Sequence, residues 1–476
     1  MRYCLLALLI TLAATVSFAQ NAQSVHQAIH FIKLANTLRE VNKSDESISL
    51  LKRALPAVES RNLYWEAATN ELLGLSYKDL EDYEPALRYL ERARAQYAKL
   101  KYVASAWGVN EVIRQISGKN VYAGIQIGAS EVKLAIFKTQ YESDFYEKDI
   151  RSVISIPDVS LMAGASGSLQ KGQIALRTCL DSIQHYNIPN ERVFIVFSSE
   201  VTNATNMSQS AKNYLYDQLV SVLPEGSTMR IDTTLTPARE AELFTTGAIP
   251  RKVWPTTSAL SIGNNAIMCG YFDKSVGSAP KAFHYNSSPI GINTLIGQID
   301  SEKFSNLKAF KQEAQRLVNA IPGMSLVPST LEGLRQRRTV GVGGPVVWAL
   351  TTYLHPEKAL STAVPISMAD VERFKQLALN DYATLIQPNL NLIADPATRD
   401  RAADDVRQVQ NQLTQKQLIV GALLIEATFR AYADKPTAKR FVFIRDSDIG
   451  WVTGKFLETI NYEYESTIAK GSLYTR

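Results

Sequence analysis

Residues 121–137 read VYAGIQIGASEVKLAIF, and residues 259–272 read ALSIGNNAIMCGYF. Each stretch is an apolar, β-rich run, a glycine-led turn, and a second apolar run. The first goes from Val121–Ile127 across Gly128-Ala129-Ser130 to Val132–Phe137. The second goes from Ala259–Ile262 across Gly263-Asn264-Asn265 to Ile267–Phe272. This is the pattern of strand, tight turn and strand. Glycine at such a turn lets backbone N–H groups come close to an anionic or polar ligand. Two such hairpins, far apart in one chain, predict two related α/β lobes whose turns face a common cleft.

Upstream of the first hairpin the period changes. Residues 24–117 carry apolar positions every three and four residues, as in amphipathic helices. Ser47-Ile48, Leu51 and Ala54 recur as Ala86-Leu87, Leu90 and Ala93, and Ala35 recurs as Gly74 at the same offset. Leu73-Gly74, Tyr77, Ala86, Leu90 and Ala93 resemble the signature of a tetratricopeptide repeat, with small residues where two helices cross closely. A looser first unit spans Ala28 to Glu59, and a last helix from Val103 to Ile116 covers the open end. The resemblance implies a module that holds a protein or peptide partner. The alternative is a brace for the domain that follows. His26 and His30 stand four apart on one helix but lack an acidic third ligand, so they predict a solvated face rather than a metal site.

The N-terminus is of another kind. Arg2 precedes an apolar run from Cys4 to Phe18, and small residues lead to a cleavage point after Ala19. This is the three-part form of a signal peptide over residues 1–19. It predicts an exported, periplasmic or secreted protein with no membrane anchor once the signal is removed, since no later stretch reaches bilayer length. The 476 residues are 46% hydrophobic and 20% charged, with a net charge of +5. A charge so mild and dispersed excludes nucleic acid as the expected partner. The basic run Arg335-Gln336-Arg337-Arg338 reads as a surface cap. Cys179 and Cys269 lie in apolar stretches and read as buried thiols, although export would permit a bridge and sequence does not decide.

Further landmarks follow in order between residues 120 and 460. They are Ala123–Gly128; Gly167-Ser168-Leu169 before a helix at Ile174–Tyr186; Val193–Phe197 leading into Ser198-Ser199-Glu200-Val201 and on to Asn206; Arg239-Glu240-Ala241-Glu242-Leu243 with Gly247; Ser288-Pro289-Ile290-Gly291; Thr339–Gly344; the helix Leu418–Glu426; and Phe441–Ile444. In this order they resemble the exopolyphosphatase and guanosine pentaphosphate phosphohydrolase (Ppx/GppA) family. The resemblance implies an actin-like, ribonuclease H-like fold, with lobe I at residues 120–256 and lobe II at residues 257–476. The expected class is therefore α-helical repeats followed by a two-lobed α/β domain. Gly164–Ser168 with Lys171 looks like a phosphate loop but lacks the flanking strand, and reads as a surface loop. The polar segment Gln387–Gln417 reads as a loop and an exposed helix.

Hydrolysis of a phosphoanhydride needs phosphate donors, a cation for developing charge, and a carboxylate to position water. By resemblance the acids belong at both hairpins. Here those positions hold Gln126 and Ser261, and a hairpin glutamate is replaced by Met268. Positions where the family has arginines hold Thr202 and Val452. What remains is Glu240 as the catalytic candidate, with Gly128, Ser130, Lys133, Ser198, Gly263, Asn264, Asn265, Gly343 and Gly344 as candidate ligand contacts. Glu131 and Glu242 are extra acids outside the matching positions. Gln and Ser neither take up a proton nor hold magnesium tightly. The expectation is a non-catalytic scaffold without cofactor or metal, binding a phosphate-bearing or polar ligand. The alternative is a divergent hydrolase of polyphosphate or another phosphoanhydride, in which Glu240 orients water and Mg2+ is needed.

Overall fold

The computed structural model describes residues 20–128, 131–142, 145–157, 159, 161, 166–202, 208–273, 282–299, 306–328, 330–433 and 438–470. The signal segment, Ala129, Ser130, Gly164 and Ala165 of the loop-like stretch, and Asn206 lie outside these. Among the described residues, no helix is long and apolar enough to cross a membrane. The chain divides into two compact units. One holds the N-terminal helices with Tyr141 and the chain from Ile460, and the other holds Tyr122–Gln140 and Tyr146–Thr459.

The first unit is built from helices α1 (Val25–Glu40), α2 (Ser44–Val58), α3 (Leu63–Asp79), α4 (Tyr83–Lys99) and α5 (Val103–Ile116). Ser24 and Asn62 cap α1 and α3 by accepting from the backbone N–H of Gln27 and Trp65, which satisfies donors a helix start leaves open. The junctions turn through single left-handed residues, Asn42, Ser60, Glu81 and Lys101, at φ of 58–61°. After α3, Glu81 and Asp82 return their N–H groups to Lys78 and Tyr77, and after α4 Lys101 and Tyr102 return theirs to Ala98 and Tyr97. This closure satisfies the last carbonyls of each helix. The repeat expected from sequence is present. A Cβ on Gly74 would stand 2.5 Å from Leu90 Cγ and 3.1 Å from the Ala86 carbonyl, so α3 and α4 cross where both residues must stay small. Ala28, Ile32, Ala35, Leu51, Ala54 and Leu73 form one core, and Leu90, Ala93, Tyr97, Ala106, Val109 and Ile113 the next. Within this same unit, Trp107 meets Tyr464 edge-on at 5.1 Å, and the Tyr141 hydroxyl bonds that of Tyr464 at 2.7 Å. The chain end that sequence reading gave to the second lobe thus groups with the helices.

The second unit contains two sheets. The first has the order β3-β2-β1-β4-β5, from β1 (Val121–Ile127), β2 (Glu131–Glu142), β3 (Phe145–Pro157), β4 (Val193–Phe197) and β5 (Ile231–Asp232). The second has the order β10-β11-β9-β6-β7-β8, from β6 (Thr257–Ile262), β7 (Ile267–Phe272), β8 (Phe283–Ser288), β9 (Thr339–Gly343), β10 (Ala363–Ile366) and β11 (Arg440–Ile444). In each sheet the first strand of the predicted hairpin lies at the centre. It meets its hairpin partner on one side and a parallel strand on the other, β4 beside β1 and β9 beside β6. Removing the antiparallel edge strand β10 leaves the same order twice. This duplication is the two-lobed actin-like, ribonuclease H-like arrangement. A strand paired on both sides and covered on both faces is mostly apolar or small, and β6 is buried along its length, Thr257, Ser258 and Ser261 included.

The helices of this unit are α6 (Ser166–His185), α7 (Ser199–Thr202), α8 (Gln209–Val220), α9 (Pro237–Ala248), α10 (Ile292–Gln298), α11 (Leu307–Asn319), α12 (Gly323–Leu326), α13 (Glu332–Gln336), α14 (Pro345–Leu354), α15 (Met368–Asn380), α16 (Tyr382–Leu385), α17 (Pro396–Gln412), α18 (Gln415–Ala433) and, up to Thr459, α19 (Gly450–Lys470), whose remainder belongs to the first unit. Two of them join the lobes. α9 crosses α19 at backbone distance, because a Cβ on Gly247 would lie 1.8 Å from the Gly450 carbonyl and one on Gly454 would lie 1.9 Å from that of Leu243. Leu243, Phe244, Trp451 and Val452 complete this core together with Val196 of one sheet and Ala259 of the other. α6 starts eight residues before the predicted Ile174, and so takes in the end of the loop-like stretch. Arg337 is a correction to the surface reading of its basic run. It is 8% exposed, stacks 4.1 Å from the Tyr271 ring centroid and donates to the carbonyls of Gly333 and Phe272. The expected helix in Gln387–Gln417 is α17, but its inner face is buried through Asp405 and Val409.

Candidate functional site

Parallel strands of an open α/β sheet present ligands at their carboxyl ends, and here the ends of β1, β4 and β6 meet one cleft of about 1540 Å³. The cleft lies wholly within the second unit. From lobe I it receives Gln126 of β1 and Gly128 after it, Glu131 and Lys133 of β2, Ser198, Ser199 and Glu200 after β4, and Glu240 of α9. From lobe II it receives Ser261, Gly263, Asn264, Asn265 and Met268, with Gly344 and Trp348 at the start of α14. Gln126, Ser261 and Glu240 therefore border one space, and Met268 and Trp348 line it without filling it. Ser130 lies outside the described residues.

The two turns are braced differently. At the first, the Gly128 N–H bonds the Glu131 carbonyl at 2.8 Å. At the second, the Gly263 N–H bonds the Ala266 carbonyl at 3.0 Å, and the start of α10 closes over it, with the Asn293 N–H bonding the Asn264 carbonyl at 2.6 Å. Gly291, in the Pro-x-Gly landmark, makes this approach possible, since a Cβ there would fall 2.5 Å from the Asn264 carbonyl oxygen. Gly344 has φ of 117°, a conformation that excludes ordinary side chains. Gly343 is outside the cleft lining, and the place of its side chain is occupied by Ser447 and Phe244.

Glu240 is 9% exposed, and its Oε2 accepts the N–H of Ser199, the first residue of α7, at 2.8 Å. Burial pushes its carboxyl above the ordinary glutamate range, and the hydroxyl and N–H of Ser199 offset part of that. Ser198 is also engaged, accepting the Val201 N–H at 3.3 Å. Lys133 pairs with Glu131 at 2.9 Å. Glu242 lies outside the cleft and pairs with Arg239 at 2.6 Å. Glu200 was not singled out as an acid from sequence. Its carboxyl is raised by burial and by the charges of Glu240 and Glu131, while the Asn265 side chain across the cleft hydrogen-bonds it. The signal for it was positional, a glutamate in the first turn after a parallel strand.

The two positions read as lost arginines are elsewhere. Val452 is 1% exposed and packs against β1 at Gly124, where a Cβ would come within 1.9 Å of it. Thr202 borders a separate hollow beside Lys212 and bonds the Ser198 carbonyl at 3.0 Å. Of the four buried amide oxygens that lack a partner among the described residues, two belong to cleft residues, Oε1 of Gln126 and Oδ1 of Asn264. Among the described residues, no three His, Cys, Asp or Glu side chains are placed to hold a metal ion. Cys179 on α6 and Cys269 on β7 are both free and buried.

No protein-family model matches the chain, and no curated protein matches it. Among solved structures it is similar to a Ppx/GppA family member from Aquifex aeolicus, at 14% identity and a TM-score of 0.46, over 72% of this chain and 98% of that one. It is similar to an exopolyphosphatase from Cytophaga hutchinsonii, at 14% identity and a TM-score of 0.48, over 71% of this chain and 98% of that one. It is also similar to an exopolyphosphatase-like protein, at 16% identity and a TM-score of 0.48, over 71% and 97%. Likenesses of this degree carry nothing about activity.

Proposed function

We propose that this chain is an exported binding protein. Its two-lobed domain holds a polar ligand without hydrolysing it, and its helical repeats engage a protein or peptide partner. The observation that carries the reading is the chemistry of the cleft where its two turns meet. Gln126 and Ser261 stand there, and neither takes up a proton at neutral pH. The buried carboxylate of Glu240 is spent on the start of α7. Loss of a general base costs about a hundred- to ten-thousand-fold in rate.

One observation favours a second reading, hydrolysis of a phosphoanhydride with Glu240 orienting water. Glu240 and Glu200 are near enough to repel and both titrate above the ordinary range, as a poised general base does. Magnesium would assist such a reaction, but the donor set fits it poorly. Gln and Ser replace carboxylates, and Lys133 already occupies Glu131.

Incubation of the mature protein with polyphosphate and Mg2+ separates the readings. Binding without turnover predicts no orthophosphate above the buffer control. Release that disappears in Glu240→Gln would establish the hydrolase instead. Export is tested apart from this by fusing residues 1–19 to an alkaline phosphatase that is active only outside the cytoplasm. Activity is expected, and its absence would remove the exported reading.

A further inference from the structure

We propose that the ligand of the cleft is a neutral polyhydroxylated molecule, a short oligosaccharide, rather than a polyanion; this rests on the non-hydrolytic reading above. Charge is the first ground. Four basic side chains stand on the walls, Lys133, Arg151, Arg401 and Arg445. Each is paired with a carboxylate: Lys133 with Glu131 at 2.9 Å, Arg151 with Asp149, and Arg401 and Arg445 with Asp405 at 3.0 and 2.7 Å. Glu200, Glu240 and Asp446 face the same space. Arg401 and Arg445 share one carboxylate, which leaves one cation over, and against it stand the three carboxylates of Glu200, Glu240 and Asp446, which repel a phosphate chain. Lys133–Glu131 and Arg445–Asp405 are the mostly buried pairs, and freeing either cation leaves its partner charge uncompensated.

Hydrogen bonding is the second ground. Gln126 is 7% exposed and lines the cleft, with its Oε1 buried and unpartnered, and Asn264 Oδ1 on the other lobe is in the same condition. A buried polar atom without a partner is costly. As placed these oxygens are shut off from the cleft, so either amide must turn to meet a ligand; its N–H groups can then donate to a phosphate oxygen or a hydroxyl alike, whereas its oxygen can accept only from a hydroxyl. A hydroxyl both donates and accepts, and satisfies either end of an amide whichever way that amide is turned. The carboxylates of Glu200 and Glu240 likewise accept from hydroxyls.

Shape is the third ground. Tyr285, 43% exposed, and Trp348 line the lobe II wall, giving flat apolar faces beside polar groups, which suits the C–H face of a sugar ring. The cleft of about 1540 Å³ exceeds the range of about 300–1,000 Å³ usual for small-molecule sites. A ligand of several rings fills it better than one ring.

The test is calorimetric titration of the full mature chain with two probe sets. One is neutral: glucose, N-acetylglucosamine, maltotetraose and chitotetraose. The other is anionic: tripolyphosphate, and ATP with magnesium. A tetrasaccharide is expected to bind more tightly than its monosaccharide and to raise the unfolding temperature, and the anions are expected to do neither. Tyr285→Ala, at an exposed position, keeps the fold and weakens tetrasaccharide binding about tenfold. Gln126→Ala weakens it by a similar factor, about tenfold. Binding of tripolyphosphate without cleavage, binding of no saccharide in the set, or saccharide binding unmoved by Tyr285→Ala each overturns the inference and leaves the non-hydrolytic reading in place. Cleavage of tripolyphosphate that is lost in Glu240→Gln overturns both.

Discussion

A carboxylate kept away from water has to be held by its neighbours, and Glu240 is held by Ser199. Burial raises its carboxyl above the ordinary 4.5, with Ser199 offsetting only part. Between the unfolded value and the raised folded one, the native state binds more protons than the unfolded state. The group's contribution is therefore full below about pH 4.5 and is lost as pH rises through the folded pKa. Gln at this position still accepts the Ser199 N–H and carries no charge. Glu240→Gln should thus unfold at a higher temperature than the parent near pH 8, with the gap closing near pH 4. A parent that is the more stable at alkaline pH would contradict this. The thiols give a second check at this scale. Burial pushes Cys179 up to about 12 and Cys269 up to about 11, so neither is a thiolate at neutral pH. In the mature chain, an aromatic disulfide reagent should titrate no thiol in the folded state and both in guanidinium chloride. Prompt reaction of either one in the folded protein speaks against the core described here.

At the scale of elements, the α9–α19 crossing sets the most sensitive positions. Gly247→Ala puts a methyl group into the Gly450 carbonyl, and overpacking of this kind costs about 3 kcal/mol or more. Gly108→Ala, inside α5 with open space at its Cβ, should stabilise by about 0.5–1 kcal/mol, because alanine is the better helix former. The non-glycine turns of the first unit invite the reverse change. Lys101 sits at φ of 61°, which costs an ordinary residue roughly 1 kcal/mol or more, so Lys101→Gly should raise stability by about that amount. Denaturant titrations of the three variants give these signs directly. This is also the scale at which the sequence was most readable. The hairpins at Gly128 and Gly263, the Gly74–Leu90 crossing and the helix Val103–Ile116 are local patterns, decided by period and turn chemistry within a few dozen residues. Gly247 could be noticed but not explained, because Gly450 and Gly454 meet it from far along the chain. Arg337 looked like a surface charge because its partner Tyr271 belongs to another element. The site was readable in the same uneven way. Gln126, Ser261 and Glu240 were found by matching ordered motifs, whereas the role of Glu200 depends on Asn265 from the opposite lobe, a neighbour in space only.

For the whole molecule, the repeated strand order explains why one cleft can be read from two ends. Each sheet sends a central hairpin turn to it, so a substitution in either lobe reaches the same ligand. The first unit poses a different question, because it is not one stretch of chain. Trp107 is 5% exposed and Tyr464 is 8% exposed in their mutual contact. Tyr464→Ala should therefore loosen α5, seen as faster amide hydrogen exchange over Val103–Ile116. Unchanged exchange there would mean that the helices stand without it.

The bond between Tyr141 and Tyr464 joins residues 323 positions apart. A ribosome releases the N-terminal helices first, and their neighbours pair as soon as they emerge, since such contacts are local. Tyr464, a partner of α5, arrives only after the second unit has been made. Until then the repeat module lacks the Tyr464 ring that packs on Trp107. The time taken to make the second unit becomes the interval during which that end is open to a chaperone, a protease or a wrong neighbour.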